Sequence, residues 1–193
     1  MKFLKQLLFV TACTFGSVEQ VYAVDVRIEG GGGWAVGYVD AKGFDEGWGG
    51  APAANAGIWI DKLLTDNLSL GLQYLHLSNT LSFSDVNDQH TRVNAGMFDA
   101  AWRMNNGVVH PYLGAGIGFG VTNVSLPTEE DSPNEHDTAT DVAGQVFFGF
   151  DYDILDNVYV GVNGRWFITD PELFGFDETV HQVALMGNVG IKF

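Results

Sequence analysis

Cysteine is almost absent from this chain of 193 residues, which contains only Cys13. Position 13 lies in an N-terminal segment that we predict to be removed, so the mature chain would have no cysteine. It would then contain no disulfide, no thiol nucleophile and no cysteine-based metal site. Because an exported protein is permitted disulfides, the stability of this one must come from another source.

Long apolar runs are missing as well. After residue 23, no stretch approaches the roughly 18 consecutive apolar residues that indicate a transmembrane helix. The sequence therefore excludes a helical membrane protein.

Basic residues are few: nine Lys and Arg stand against 24 Asp and Glu, for a formal net charge of −15. Loss of residues 1–23 would remove Lys2, Lys5 and Glu19, which leaves seven against 23 and a charge of −16. Nucleic-acid binding needs a basic footprint, so we expect no nucleic-acid partner. Electrostatic docking onto an anionic lipid surface is disfavoured for the same reason. Apolar residues still make up 46% of the chain, which excludes a disordered acidic tail.

The N-terminus has the pattern of a secretory signal peptide. Lys2 and Lys5 accompany an apolar run over residues 7–15, and Val21-Tyr22-Ala23 supplies a cleavage site. We predict a signal peptide at 1–23 and one domain at 24–193. The alternative is a lipobox at Val10-Thr11-Ala12-Cys13, which would place a lipid on the cysteine and leave residues 21–23 unused.

The mature chain alternates apolar residues with small or polar ones nearly everywhere. The last segment shows it best, with Val183, Leu185 and Val189 on one side and Gln182, Asn188 on the other. A period of two indicates β-strands with two different faces. Eight strands are predicted, at about 25–38, 55–63, 68–74, 92–104, 113–121, 142–152, 158–168 and 183–193.

The glycines of residues 114–120 have GxGxxG-like spacings, which could suggest a phosphate-binding loop. However, the apolar series Leu113, Ala115, Ile117 and Phe119 runs straight through them. We therefore predict one strand whose glycines face the inside of a narrow barrel.

The connections between the strands alternate in length. Tight turns are predicted at 64–67, 105–107 and 155–157, and long polar loops at about 40–53, 79–91, 123–139 and 170–179. Short turns at one end and long loops at the other are typical of outer-membrane barrels. This arrangement predicts periplasmic termini and four extracellular loops.

The two strand faces decide between a soluble barrel and a membrane barrel. Lys and Arg occupy the mixed face, whereas the other face is nearly all Val, Ile, Leu, Phe and Trp. A soluble barrel of the lipocalin type, which is the alternative, would be apolar inside and polar outside. We predict an all-β, eight-stranded antiparallel up-and-down transmembrane β-barrel with lipid outside and a polar lumen.

Three segments resemble the outer-membrane β-barrel family, which includes the transmembrane domain of outer-membrane protein A and porin-like surface antigens. They are residues 67–74, 110–118 and 190–193. The resemblance implies a monomer in the cell outer membrane, in contact with outer-membrane lipid and lipopolysaccharide and without a cofactor. It also implies that Phe193, the terminal aromatic residue, is read by the barrel-assembly machinery.

One tetrapeptide, His76-Leu77-Ser78-Asn79, suggests chemistry. His76 and Ser78 share the lipid-facing side of the third strand, where a histidine could activate a hydroxyl. The tetrapeptide resembles the His-x-Ser-Asn motif of lipid A 3-O-deacylases, which implies catalysis by His76, Ser78 and Asn79. An acidic residue about a dozen positions on orients the histidine in that family, and Asp88 is the nearest candidate here. The alternative is a polar rim with no catalytic role.

Charged residues on the predicted inner face form a second constellation. They are Arg27, Glu29, Asp61, Asp99, Arg103, Asp151, Asp153, Arg165 and Lys192. Buried charges must pair, so we expect a salt-bridged plug in which Arg165 contacts Asp151 and Asp153. A narrow path for ions is the alternative.

The segment 128–141 is strongly acidic and could in principle bind Ca²⁺ or Mg²⁺. It lacks EF-hand spacing, so we expect a solvated loop and no metal site. The lead interpretation is a non-enzymatic barrel with a role in envelope integrity or surface interaction through long acidic extracellular loops. The alternatives are a lipid A 3-O-deacylase-like esterase and a narrow passive pore.

Overall fold

A computed structural model of the chain describes residues 24–40, 47–83, 86–104, 107–126, 135–173, 176–177 and 179–193. Ten strands account for nearly all of them. They are β1 (Asp25–Asp40), β2 (Gly47–Asp61), β3 (Leu68–Phe83), β4 (Val86–Arg103), β5 (Val109–Leu126), β6 (Glu135–Leu155), β7 (Val158–Thr169), β8 (Glu172–Leu173), β9 (Phe176–Asp177) and β10 (Thr179–Lys192). Within these ranges, no helix is long and apolar enough to cross a membrane.

Eight of the strands close into one antiparallel barrel in which each strand pairs with the next. The order is β1-β10-β7-β6-β5-β4-β3-β2, and β1 pairs with β10 to complete the ring. The two short strands β8 and β9 form a separate ladder beside it. The predicted all-β, eight-stranded antiparallel barrel is thereby confirmed.

The strands are staggered around the barrel. A path of paired residues that starts at Glu29 on β1 passes once around the ring and returns to β1 at Val39, ten residues further on. Such a stagger tilts the strands against the barrel axis. An eight-stranded barrel of this kind has an interior just wide enough for side chains to fill.

The outer and inner faces follow the predicted alternation. On β10, Leu185 is 64% exposed while its neighbour Met186 is 1% exposed. On β5 the apolar residues face outward, and a Cβ on the inward Gly114 or Gly116 would collide with Phe147 or Asp99. The inward glycines therefore make room for large side chains from neighbouring strands.

Several strands extend into segments that the sequence predicted as loops. β2 begins at Gly47 instead of near residue 55, and β3 and β4 continue through most of 79–91, where a long loop was expected. β6 begins at Glu135, inside the acidic segment. Polar composition misled the prediction, because a strand outside the lipid needs no apolar face to keep its ladder of hydrogen bonds.

The interior is built in two layers. At the end with the long connections it is apolar, with a buried cluster that contains Leu75, Leu77, Val93, Met97 and Phe167. At the end with the short turns it is charged and polar. The sequence predicted only a small and polar inner face, although Leu75 and Leu77 occupy inward positions of β3.

The turn between β2 and β3 carries an ion pair outside the barrel wall. Lys62 has a positive φ of 60° and its Nζ lies 2.7 Å from Asp25 Oδ2. The hydrogen bond to Asp25 raises the pKa of Lys62 above its usual value. Lys62 therefore joins the turn to the first residue of β1.

Candidate functional site

All nine charged residues predicted for the lumen lie on the inward side of their strands, but they form three groups. The first is centred on Arg27, which is 2% exposed. Its Nε donates to Asp61 Oδ2 at 2.5 Å and its Nη1 donates to Tyr159 Oη at 3.0 Å. Asp151 lies 3.6 Å from the same guanidinium and pairs with Arg103.

Glu29 accepts hydrogen bonds from three neutral residues. Trp59 Nε1 donates at 2.9 Å and Gln73 Nε2 at 3.0 Å to Oε1, and Tyr159 Oη donates at 2.8 Å to Oε2. Three hydrogen bonds to a buried carboxylate largely offset the free-energy cost of removing it from water. Trp59, Gln73 and Tyr159 were not predicted as members of this network, although each occupies an inward position of its strand.

The expected pairing of Arg165 with Asp151 and Asp153 is wrong. Arg165 Nη1 donates instead to Gln73 Oε1 at 2.9 Å and to Gln145 Oε1 at 2.7 Å. In the β6–β7 ladder Arg165 is opposite Phe147, four residues from Asp151. Four residues of strand span about 13 Å, which is beyond the reach of the guanidinium.

Gln145 links Arg165 to the remaining carboxylate of this second group. Its Nε2 donates to Asp99 Oδ1 at 2.5 Å while its Oε1 accepts from the arginine. The third group lies at the mouth with the short turns, where Asp153 accepts from Lys192 at 2.5 Å and contacts His110 Nε2 at 3.0 Å.

The charged and aromatic side chains fill the lumen closely where the first two groups meet. The gaps between Glu29, Trp59, Arg103, Phe147 and Arg165 are too narrow to hold a water molecule. Trp59 and Phe147 pack edge to face there, with ring centroids 6.0 Å apart. Within the described residues, this level of the barrel is closed.

The outer face carries a different polar group, on β3 and β4. Ser78 Oγ lies 3.2 Å from His76 Nε2, and His76 Nδ1 lies 2.8 Å from Asn94 Oδ1. Tyr74 Oη donates to the same amide oxygen at 2.7 Å. These four residues form a continuous hydrogen-bonded row, which we call the outer-face row.

With Asn94 Oδ1 accepting from Tyr74 Oη, the His76 tautomer that fits the row has its hydrogen on Nδ1. Nε2 of that tautomer can accept a hydrogen bond from Ser78 Oγ. A serine beside the free nitrogen of an oriented imidazole is the arrangement that activates a hydroxyl as a nucleophile.

One predicted member of this site, Asn79, is not part of it. Asn79 is 3% exposed and points to the interior, because adjacent residues of a strand face opposite sides. The side chain of Asp88 lies outside the described residues. Asn94, which was not predicted from the sequence, orients the His76 ring through Nδ1, because the register of β3 and β4 places it directly opposite His76.

The part of the chain that the structure describes contains no group of three or more His, Cys, Asp or Glu able to hold a metal ion. Residues 128–134 of the acidic segment are outside that part.

Comparison with known proteins gives the family. A family model described as an outer membrane protein beta-barrel domain matches residues 7–193. The chain belongs to this family. The outer membrane barrel accordingly resides in the cell outer membrane, where its exposed apolar face meets lipid.

Solved structures support the same fold. The barrel is similar to Neisserial surface protein A, with 17% identity over 88% of this chain and 97% of the other, at a TM-score of 0.58. It is also similar to Ail, the attachment invasion locus protein of Yersinia pestis, with 15% identity over 86% and 98% and a TM-score of 0.52. No curated protein matches the chain in sequence.

Proposed function

We propose that this outer membrane barrel is a sealed, non-conducting scaffold that serves envelope integrity or surface interaction through the connections at its long-loop end. The main observation that supports this proposal is that side chains close the interior of the barrel. Charged side chains pair across the lumen at one end, and apolar side chains such as Leu77 and Phe167 fill it at the other.

The packing supports a scaffold better than a narrow pore. An ion crossing the barrel would have to separate Arg27 from Asp61 and then pass the buried apolar layer. Opening a buried ion pair leaves uncompensated charge, at a cost of about 3–5 kcal/mol.

Planar-bilayer recording tests the sealed state. We expect the folded protein to give no steady conductance steps at neutral pH, with a general porin as the positive control. Regular steps from folded protein would contradict the scaffold and favour the pore.

A cell assay separates the two scaffold roles. Cells that lack the gene should become sensitive to detergent, and the intact protein should restore resistance. A variant with residues 127–134 replaced by Gly and Ser of equal number tests the loop. Full rescue by it would favour envelope integrity, and failure despite normal surface level would favour interaction through this segment. No phenotype in cells without the gene would contradict an envelope role.

The outer-face row favours a second candidate function, the hydrolysis of acyl esters. The supporting observation is the 3.2 Å contact of Ser78 Oγ with His76 Nε2, with His76 held by Asn94. The row lies on the surface that faces lipid, so its substrate would be a membrane lipid ester such as an acyl chain of lipid A.

The steps of ester hydrolysis use the His76 tautomer in which Nε2 is free to accept a proton. His76 Nε2 would take the proton of Ser78 as Oγ attacks the ester carbonyl carbon, and would return it to the departing alcohol oxygen. Water would then attack the carbonyl carbon of the resulting acyl-serine and break its bond to Ser78 Oγ. The water hydroxyl would become part of the fatty acid, and the water proton would pass through His76 Nε2 to Ser78 Oγ.

Mass spectrometry of lipid A incubated with folded protein tests this function. We expect the loss of one acyl chain, abolished by Ser78→Ala and slowed roughly 10²- to 10⁴-fold by His76→Ala. Asn94→Ala should slow it as well, whereas the inward Asn79→Ala should not. Unchanged lipid A with the intact protein, or equal activity of Ser78→Ala, would contradict hydrolysis at this serine.

A further inference from the structure

We propose that the outer face of β2–β5 binds one phosphorylated acyl lipid of the outer leaflet, with an acyl chain in a groove and the phosphate at Arg92. This binding site does not depend on ester hydrolysis by Ser78. It goes beyond the scaffold role because it assigns a particular ligand to a particular part of the lipid-facing wall.

The groove has a volume of about 850 Å³ and is lined almost entirely by apolar atoms. Its walls are outward side chains such as Ile58, Leu72, Phe98 and Phe119, all more than half exposed. A shallow apolar groove on a surface that faces lipid fits an acyl chain, which gains contact there with side chains from several strands.

Small residues form the floor of the groove. Ala56 is opposite Tyr74, which is opposite Gly96 on β4. A Cβ added at Gly96 would meet nothing within 4 Å, so this position opens directly into the groove. A larger residue at Gly96 would therefore occupy the space proposed for the lipid without disturbing the barrel wall.

Tyr74 connects the groove to the polar residues beside it. Its ring lines the groove, and its hydroxyl donates to Asn94, two residues from Gly96 on β4. Arg92 follows two residues further along the same strand and is opposite Ser78. The four-residue separation places the Cα atoms of Arg92 and Gly96 about 13 Å apart on one face of β4, a spacing that suits a lipid whose chain fills the groove and whose phosphate lies at Arg92.

Arg92 is distinctive in its charge environment. Of the described basic residues, Arg27, Arg103, Arg165 and Lys192 face the interior and Lys62 lies in a turn, so Arg92 is the one on the outer face of a strand. It is exposed, and no described residue forms an ion pair with it. The outward positions described on β3–β6 include no Asp or Glu. A cation that has no acidic residue at the described outward positions around it fits a phosphate, even on a chain with a strongly negative net charge.

Native mass spectrometry of the full-length protein in detergent tests the site, in a Ser78→Ala background so that hydrolysis cannot remove the ligand. The probes are diphosphorylated lipid A and the same lipid without phosphates. We expect the phosphorylated lipid to bind at one equivalent. Arg92→Gln should weaken its binding roughly tenfold, Arg92→Lys should weaken it less, and removal of the phosphates should have the effect of Arg92→Gln.

The groove is tested by filling it. Gly96→Leu should weaken binding at least as much as Arg92→Gln, and Ala56→Leu provides a second variant if the first folds poorly. Gly187→Leu is the matched control, since it also faces outward, on β10, where an added Cβ has only contacts of 4.0 Å. Migration of unheated and heated samples on gels verifies that each variant is folded.

Three results would overturn the proposal. One is equal binding by Arg92→Gln and the parent, and another is equal loss from Gly96→Leu and Gly187→Leu. The third is displacement of the lipid by inorganic phosphate at similar concentration, which would show a simple anion site.

Discussion

Arg165 on β7 donates a 2.9 Å hydrogen bond to Gln73 on β3, although these two strands are not neighbours in the barrel. The contact crosses the lumen and joins opposite walls. Replacement of Arg165 by Met would leave the side-chain oxygens of Gln73 and Gln145 without this donor, and would remove the cation that Gln145 links to Asp99. We predict a decrease of roughly 2–5 kcal/mol in the free energy of unfolding, because buried polar groups would lose their partner. Urea titration of protein folded in lipid vesicles measures it.

Lys192→Met is the control for this prediction. Lys192 also pairs inside the barrel, but it lies at the mouth and its side chain is 27% exposed. Water can replace its contact with Asp153, so we expect a decrease of about 1 kcal/mol or less. Equal decreases for both variants would show that the lumen around Arg165 is as wet as the mouth.

The lipid-facing side of β7 gives a second prediction. Val162 is exposed on the outer face, so Val162→Arg would place a charge against lipid. We predict a loss of about 2–4 kcal/mol near the midplane and a lower folding yield in vesicles, whereas Val162→Leu should be neutral. A normal yield for Val162→Arg would argue that this face does not meet the hydrocarbon core.

Two glycines on neighbouring strands should respond in opposite ways to alanine. An added methyl group at Gly114 would collide with the Phe147 ring and lie 2.8 Å from the Ala100 carbonyl oxygen. We predict a destabilisation of about 1–3 kcal/mol for Gly114→Ala, as for other overpacked interiors. Gly96→Ala should be neutral or stabilise by up to about 1 kcal/mol, since its methyl group has free space and the unfolded chain loses flexibility. The same loss at both sites would contradict the assignment of inner and outer faces on β4 and β5.

The alternation of short and long connections predicts the orientation of the barrel. An epitope tag inserted at Pro133 should bind antibody on intact cells, whereas a tag at Asn106 should bind only after the outer membrane is opened. The physical reason is that the termini and the short turns of such barrels face the periplasm. Antibody binding to the Asn106 tag on intact cells would reverse the orientation.

The sequence predicted the fold well because strand alternation is a local property. Val183, Leu185 and Val189 are apolar and face outward, whereas their immediate neighbours on β10 face inward. Contact with lipid requires an apolar residue at each outward position along the whole membrane span. Strand ends were predicted poorly. Beyond the hydrocarbon core of the membrane, outward residues such as Arg92 and Thr138 are polar while the ladder of hydrogen bonds continues, so composition no longer distinguishes strand from loop.

The contacts within each site depend on register, which the sequence did not reveal. Arg165 and Asp151 were both correctly placed inside, but their separation along the barrel depends on how β6 and β7 are aligned. In the same way, His76 and Ser78 were placed on one face, yet Asn94 enters only because β3 and β4 pair with His76 opposite Asn94. The periodicity of a strand identifies its faces, and only the pairing identifies its partners.

Lipid surrounds the apolar face of the barrel, and the alternate face is sealed inside. Single cysteines at positions 183, 184, 185, 186 and 189 of β10, in a Cys13→Ser background, can each carry a nitroxide label in vesicles. Collision of the label with molecular oxygen, which dissolves in lipid, reports its surroundings. We predict high oxygen accessibility at 183, 185 and 189 and low accessibility at 184 and 186. Maxima of oxygen accessibility at 184 and 186, or no alternation along β10, would show that the apolar face does not contact lipid.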